Sequence, residues 1–272
     1  MRTVAELKEK DIRAFPVQSS KGNQLKWEQA GVWYKADYTG YEGLAEYMVS
    51  ALLKYSDLKP GEFIPYETEE IFYKKSRYLG CKSRNFLPRG WQLITLERLF
   101  HTFYNQSLYK SIFRIQGIGE RGRFLTEQVE QMTGLKDFGV YLSKLLTVDA
   151  LFLNEDRHMH NIAVLRDKSG EYHYCPIFDN GCALLSDTTI DYPVNEDVIN
   201  LIPQVRAKTL SQDFNEQLEA VEKLYGQNLK FYYDQHLITE LLEEEHYYPA
   251  EIKNRVRDIL LQQRRAYQYL FR

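Results

Sequence analysis

The sequence predicts an α+β protein with a small β-rich N-terminal lobe holding one helix, followed by a larger, mostly helical lobe. Three patterns carry this expectation. A strand-rich stretch with a single helix stripe occupies the first part of the chain. Apolar residues at helical spacing dominate the second part, and one β-hairpin interrupts it near residues 162–178. The expected division is 1–100 for the first lobe and 101–272 for the second.

Gly31-Val32-Trp33-Tyr34-Lys35-Ala36 is rich in strand formers and is followed by the turn-prone Asp37-Tyr38-Thr39-Gly40. Between Tyr41 and Tyr55, the residues Leu44, Tyr47, Met48, Ala51, Leu52 and Tyr55 mark one face of a helix. Thr39-x-x-Glu42 at its entrance has the form of a capping box, and Lys59-Pro60-Gly61 lies beyond its exit. Residues 63–115 read as short strands and loops, including Trp91–Leu96. Segments 124–132 and 138–153 read as helices separated by Thr133-Gly134. The second buries Phe138, Leu142, Leu145, Leu146 and Leu153 and runs directly into Asn154-Glu155-Asp156. Ile162–Leu165 and Tyr172–Phe178 flank Asp167-Lys168-Ser169-Gly170, which is a hairpin signal. From about residue 195 the pattern is helical, with Ile252, Val256, Ile259, Leu260 and Tyr267 as a late stripe.

A chain of 272 residues, 44% hydrophobic and 27% charged, has the balance of a globular protein with a sizeable core. A net charge of −3 gives no global basic field for nucleic acid, so no direct nucleic-acid binding is expected. No apolar run is long enough to span a membrane, and the first residues lack the apolar stretch of a signal peptide. The 3 cysteines, Cys81, Cys175 and Cys182, form no complete disulfide framework, which makes a reducing cytoplasm the expected compartment.

The chemistry concentrates around the hairpin, in Asn154-Glu155-Asp156-Arg157-His158-Met159-His160-Asn161 and in Phe178-Asp179-Asn180-Gly181. Antiparallel pairing brings Asn161, at the start of one strand, to the same end as Asp179, after the other. Asp156 lies on the loop just before. Two carboxylates and a carboxamide form a hard oxygen donor set that suits Mg²⁺. Phosphoryl transfer divides such groups, with one Asp orienting a hydroxyl and an Asn and a second Asp on the metal. It also needs a cation on the nucleotide. Lys35, in a strand among Val32, Trp33, Tyr34 and Ala36, is out of place unless an acidic partner meets it. Glu42 or Glu46 on the following helix can supply that partner. Glu42 is accounted for by the capping box, which favours Glu46.

Asn-x-Asp-Arg-His-x-x-Asn followed by Phe-Asp resembles the HipA-like serine/threonine kinases and, more distantly, the phosphatidylinositol kinases. The resemblance covers roughly residues 17–260. It implies a bilobal protein-kinase-like fold that uses ATP and Mg²⁺ to phosphorylate a Ser or Thr of a protein substrate. By the same resemblance, Asp156 is the catalytic base, Asn161 and Asp179 hold the metal, and Lys35 holds the α- and β-phosphates. The backbone around Glu97-Arg98-Leu99 is the inter-lobe hinge that meets the adenine. Ser20 and Gly22 fall in the loop that covers the phosphates, where Ser19 or Ser20 is a candidate for autophosphorylation. HipA-type toxins work with an antitoxin, so an antitoxin-like partner is a further question the resemblance raises. Two other readings stay open: a lipid or small-molecule kinase of the same fold, and a non-catalytic nucleotide-binding module.

Other signals have plainer readings. Gly117-Ile118-Gly119-Glu120-Arg121-Gly122 matches G-x-G-x-x-G, but no buried parallel strand follows, and it reads as a flexible connector. His158-x-His160 with His173 lacks a further soft ligand for zinc. Glu243-Glu244-Glu245 reads as a solvated helix face.

Overall fold

The computed structural model describes residues 4–12 and 24–272, and the chain divides into two compact units, each assembled from separate stretches. The first comprises Met1–Phe86, Asp179–Val205 and Lys230–Arg272, and the second Leu87–Phe178 and Arg206–Leu229. The C-terminal helices belong with the N-terminal sheet.

The first unit is built on β1 (Val4–Glu6), β2 (Lys26–Gln29), β3 (Val32–Ala36), α1 (Glu42–Leu53), β4 (Glu67–Tyr73) and β5 (Ser76–Arg84). Its five strands run in the order β1-β4-β5-β3-β2, antiparallel except for the parallel β1–β4 pair. Leu7, Trp27, Ala36, Ile71 and Tyr73 form one core cluster on the sheet. Helix α1 covers β4 and β5 and is buried at every position but Tyr47, so the apolar stripe expected from the sequence is a helix enclosed almost all round. Glu46 and Ser50 are thus polar groups on a buried helix and need partners. Ser50 meets this by accepting from the Tyr66 amide at 2.9 Å. Glu42 does not form the expected box around a Thr39 cap. The helix starts later, at Tyr41, and the Glu42 carboxylate turns back to accept from the amides of Tyr38, Thr39 and Gly40 and from the Thr39 hydroxyl.

The second unit begins with β6 (Gln92–Thr95) and continues through α2 (Leu96–Tyr104), α3 (Leu108–Phe113), α4 (Ile118–Thr133), α5 (Phe138–Phe152), β7 (Ala163–Arg166) and β8 (Tyr172–Tyr174). The three strands order as β6-β7-β8, so the hairpin read from the sequence gains β6 as its third strand. Between β8 and the end of the chain lie α6 (Val198–Leu201), α7 (Phe214–Tyr225), α8 (Gln235–Glu244) and α9 (Ala250–Ala266), of which only α7 belongs to this unit. Two expectations are corrected here. Residues 96–113 are largely helical, with Leu96, Leu99 and Phe100 buried at helical spacing and the Thr95 side chain capping α2 through the Arg98 amide. The aromatic run Phe100–Tyr104 has high strand propensity, but packing against α3 and α4 decides for helix. The glycine motif at 117–122 is the first turns of α4 rather than a connector.

Helix α1 can lie against β5 because two glycines face each other. A Cβ on Gly43 would stand 2.4 Å from the Gly80 carbonyl carbon, and one on Gly80 would stand 2.0 Å from the Lys35 carbonyl oxygen. Neither backbone can yield without moving β3, so Gly43→Ala should lower stability by ~1–3 kcal/mol in urea unfolding. Gly119→Ala is the control. An added Cβ there meets nothing within 4 Å, and helix propensity predicts a gain of ~0.5–1 kcal/mol.

The turn from β3 into α1 holds a titratable group. Asp37 accepts from the Gly43 amide at 2.6 Å and from the Tyr248 hydroxyl at 2.7 Å. Burial, then the Glu42 charge, push its carboxyl up from 3.8 to about 8. A folded-state pKa above the unfolded one means that stability from this group is complete below the unfolded pKa and is lost as pH rises through the folded value. Asp37→Asn should therefore flatten the decline in melting temperature from about pH 4 to about pH 8, and an unchanged profile would contradict the assignment.

Candidate active site

The two halves of the predicted constellation are each assembled within one unit. In the first unit, the strand alternation of β3 sends Lys35 toward α1. The Lys35 ammonium lies 2.6 Å from Glu46 Oε1 and 2.7 Å from Asp179 Oδ1. Glu46 is 1% exposed and Lys35 14%, so these charges are largely removed from water and depend on each other. Burial alone would lower the lysine pKa, but the carboxylates of Asp179 and Glu46 outweigh it and hold the ammonium well above its ordinary value. The second oxygen of Glu46 accepts from the Asn180 amide at 2.9 Å, which ties the residue after Asp179 to α1. Asp179 itself sits at φ 60°, a left-handed conformation uncommon outside glycine and asparagine. Glu46 rather than Glu42 is the partner of Lys35, because Glu42 is fully engaged by the turn before α1.

In the second unit, α5 ends at Leu153, which is left-handed at φ 57° and turns the chain abruptly into Asn154–Asp156. Asp156 is 5% exposed. Its Oδ1 lies 3.1 Å from the Lys208 ammonium. The Asn161 side-chain amide donates to the Asp156 carbonyl at 2.8 Å and to Oδ2 at 3.3 Å. With that nitrogen turned to Asp156, the Asn161 carbonyl oxygen points elsewhere and is the atom suited to a hard cation. His158 Nε2 stands 3.8 Å from Asp156 Oδ1, and burial lowers the imidazole pKa despite the carboxylate. Lys208 is a cation beside Asp156.

Arg157 was not among the expected site residues, and it organises the loop. Its side chain is 1% exposed and its Nε lies 3.1 Å from Asp149 Oδ1, within α5. One terminal nitrogen donates to the carbonyls of Asn161, at 3.1 Å, and Phe178, at 2.6 Å. The Asn154 amide also donates to Asp149, at 3.1 Å. One guanidinium thus binds the helix, the far end of the loop and the residue preceding Asp179 in the chain. Burial raises the Asp149 carboxyl to about 6 against the pull of Arg157. A signal was present: Asp149 interrupts the apolar run Leu145–Phe152, and a carboxylate there requires a buried cation.

Other expected site residues are placed differently. The Glu97 carboxylate accepts from the amides of Leu108 and Tyr109 and so caps α3. The amides of Leu96, Glu97 and Arg98 donate to Ile162, Met159 and the Thr95 hydroxyl, and Leu99 is 2% exposed inside α2. The amides of residues 96–98 are thus already engaged at the start of α2. Ser19, Ser20 and Gly22 lie outside the described residues. Glu245 is not solvated but 3% exposed, accepting from the amides of Tyr247 and Tyr248. Among the described residues, the group of carboxylates and histidine close enough to share a metal is Asp167, Glu171 and His173. Asp167 there receives Ser169, Glu171 and His173, the bonds that shape the β7–β8 turn.

Comparison with solved structures decides the fold. The crystal structure of a Helicobacter pylori proinflammatory kinase, CtkA, superposes with a TM-score of 0.63 over 97% of this chain and 94% of that one, at 14% identity. The fold is kinase-like. No protein-family model and no curated protein sequence matches the chain. Among the described residues, no helix is long and apolar enough to cross a membrane.

The Arg157–Asp149 pair predicts an asymmetric mutational result. Arg157→Met leaves a buried carboxylate unpaired and should cost ~3–5 kcal/mol in chemical denaturation. Combining it with Asp149→Leu should recover most of that loss, whereas a single variant as stable as the parent would show that the pair does not hold the loop.

Proposed function

We propose that the protein is an ATP- and Mg²⁺-dependent kinase that transfers a phosphoryl group to a Ser or Thr hydroxyl of a protein substrate. The observation that carries this reading is the Lys35 ammonium held between Glu46 and Asp179 on a kinase-like fold. A lysine on a strand, paired with a glutamate on the next helix, is the arrangement that protein kinases use to hold ATP phosphates. The Asp179 carboxylate and the Asn161 carbonyl oxygen fit Mg²⁺, since both are hard oxygen donors and neither is a thiolate. When bound, the ion would neutralise charge on the β- and γ-phosphates.

The roles of the chain's own residues follow from chemistry. Lys35 binds phosphate oxygens, and Glu46 keeps its ammonium charged and aimed. Asp156 orients the acceptor hydroxyl and takes its proton as the new P–O bond forms. Asn161 fixes one oxygen and the backbone carbonyl of Asp156, which leaves the carboxylate little rotational freedom. Arg157 acts through this loop as a positioning residue.

Incubation with γ-labelled ATP, Mg²⁺ and cell lysate, followed by phosphosite mapping, should find phosphorylated Ser or Thr. Asp156→Asn should lower turnover by ~10²–10⁴-fold and leave nucleotide binding largely intact. Undiminished turnover in that variant would overturn the assignment of the base. Label confined to lipid or to a small molecule would overturn the protein substrate.

A further inference from the structure

The strongest group near Asp156 that the reading above leaves without a role is Lys208, which comes from a different part of the second unit. It sits on the loop 206–211, before α7, and its side chain is 38% exposed although its partner Asp156 is 6% exposed. That loop is held at both ends. The Thr209 hydroxyl, fully buried, donates to the Arg157 carbonyl at 2.6 Å. The Leu210 and Ser211 amides donate to the buried Gln217 side chain at 3.1 and 3.4 Å, and the Ala207 amide donates to the Gln212 carbonyl at 2.9 Å. Arg121 donates from α4 to the Leu210 carbonyl at 2.7 Å. At Gly122 of α4 an added Cβ would lie in ordinary contact with Leu210 at 3.5 Å and tightly against Val221 at 3.3 Å. Of the motif at 117–122, Arg121 is the residue that bonds to the loop carrying Lys208.

A surface lysine needing only to reach water would not require such a bracket. The side chain is partly exposed while its ammonium meets Asp156, and a lysine head carries three donors. We propose that Lys208 is a further catalytic residue of the reaction proposed above, a cation for the γ-phosphoryl group. In the resting protein it pairs with Asp156. With ATP bound, it donates to a γ-phosphate oxygen and stays beside Asp156. During transfer, the substrate oxygen bonds to the γ-phosphorus and the bond from that phosphorus to the β–γ bridging oxygen breaks. The hydroxyl proton goes to Asp156, and ADP leaves with the bond's electron pair. Lys208 answers the negative charge spread over the transferring oxygens, a role in which a fixed cation is more effective than water.

This inference rests on the kinase reading, and the tests separate the two. Lys208→Met should lower kcat by ~10²–10³-fold while the KM for ATP changes less than about threefold, and Lys208→Arg should recover at least about a tenth of the lost activity. A residue that only stabilised the loop would instead lower the melting temperature and would not be rescued by a longer, forked cation. Binding provides a readout independent of turnover. The β,γ-imido analogue of ATP with Mg²⁺ should bind more tightly than ADP with Mg²⁺, and Lys208→Met should reduce that preference by ~10-fold. An unchanged preference, or Lys208→Met within threefold of parental kcat, overturns the role of Lys208. If Asp156→Asn is inactive while Lys208→Met is fully active, only this inference falls. If neither nucleotide binds, the kinase reading falls and takes this one with it.

Discussion

A lysine ammonium leaves water only where opposite charge awaits it, and the first unit is arranged around that requirement at Lys35. Glu46 can meet the ammonium because α1 lies directly on the sheet, and α1 lies there because Gly43 and Gly80 allow backbone contact. Asp179 completes the pair from a segment far along the chain, in a left-handed conformation that places its carboxylate on the same nitrogen. Removing Lys35 would leave the buried Glu46 carboxylate without its cation, a condition that costs a folded chain several kcal/mol in general. Close packing and electrostatics are therefore one constraint here.

The second unit repeats this logic, again with the carboxylate on a helix and the cation outside it. Asp149 is a carboxylate enclosed in an apolar helix, and Arg157 is the cation that makes it tolerable. The guanidinium has donors left after meeting Asp149, and it uses them on the carbonyls of Asn161 and Phe178. A pair that contributes little net stability can still confine a loop to one geometry. The cost of burial is met within the unit.

Much of this was legible in the residues. The β3–α1 order, the hairpin at 163–174 and the helix running into Asn154 follow from periodicity and turn chemistry, which are local properties. The preference for Glu46 over Glu42 was also readable, since Glu42 had a nearer use in the turn. The helices at 96–113 were not, because an aromatic-rich run carries strand propensity and only its neighbours in space decide otherwise. Glu97 and Leu99 lie in the first of those helices, α2. Lys208 could not be found from spacing at all, lying 52 residues from its partner in the chain.

The sequence by itself determined which side chains carry charge, where turns interrupt the helices and strands, and that hard oxygen donors cluster around one hairpin. Tertiary structure alone decided which charges face each other. It gave α8 and α9 to the N-terminal sheet, set Arg157 against Asp149, and brought the 206–211 loop to Asp156. The physical reason is range. Backbone preference and hydrophobic period act over a few residues, whereas the energy of a buried charge depends on whatever group lies within a few ångströms, however distant in sequence.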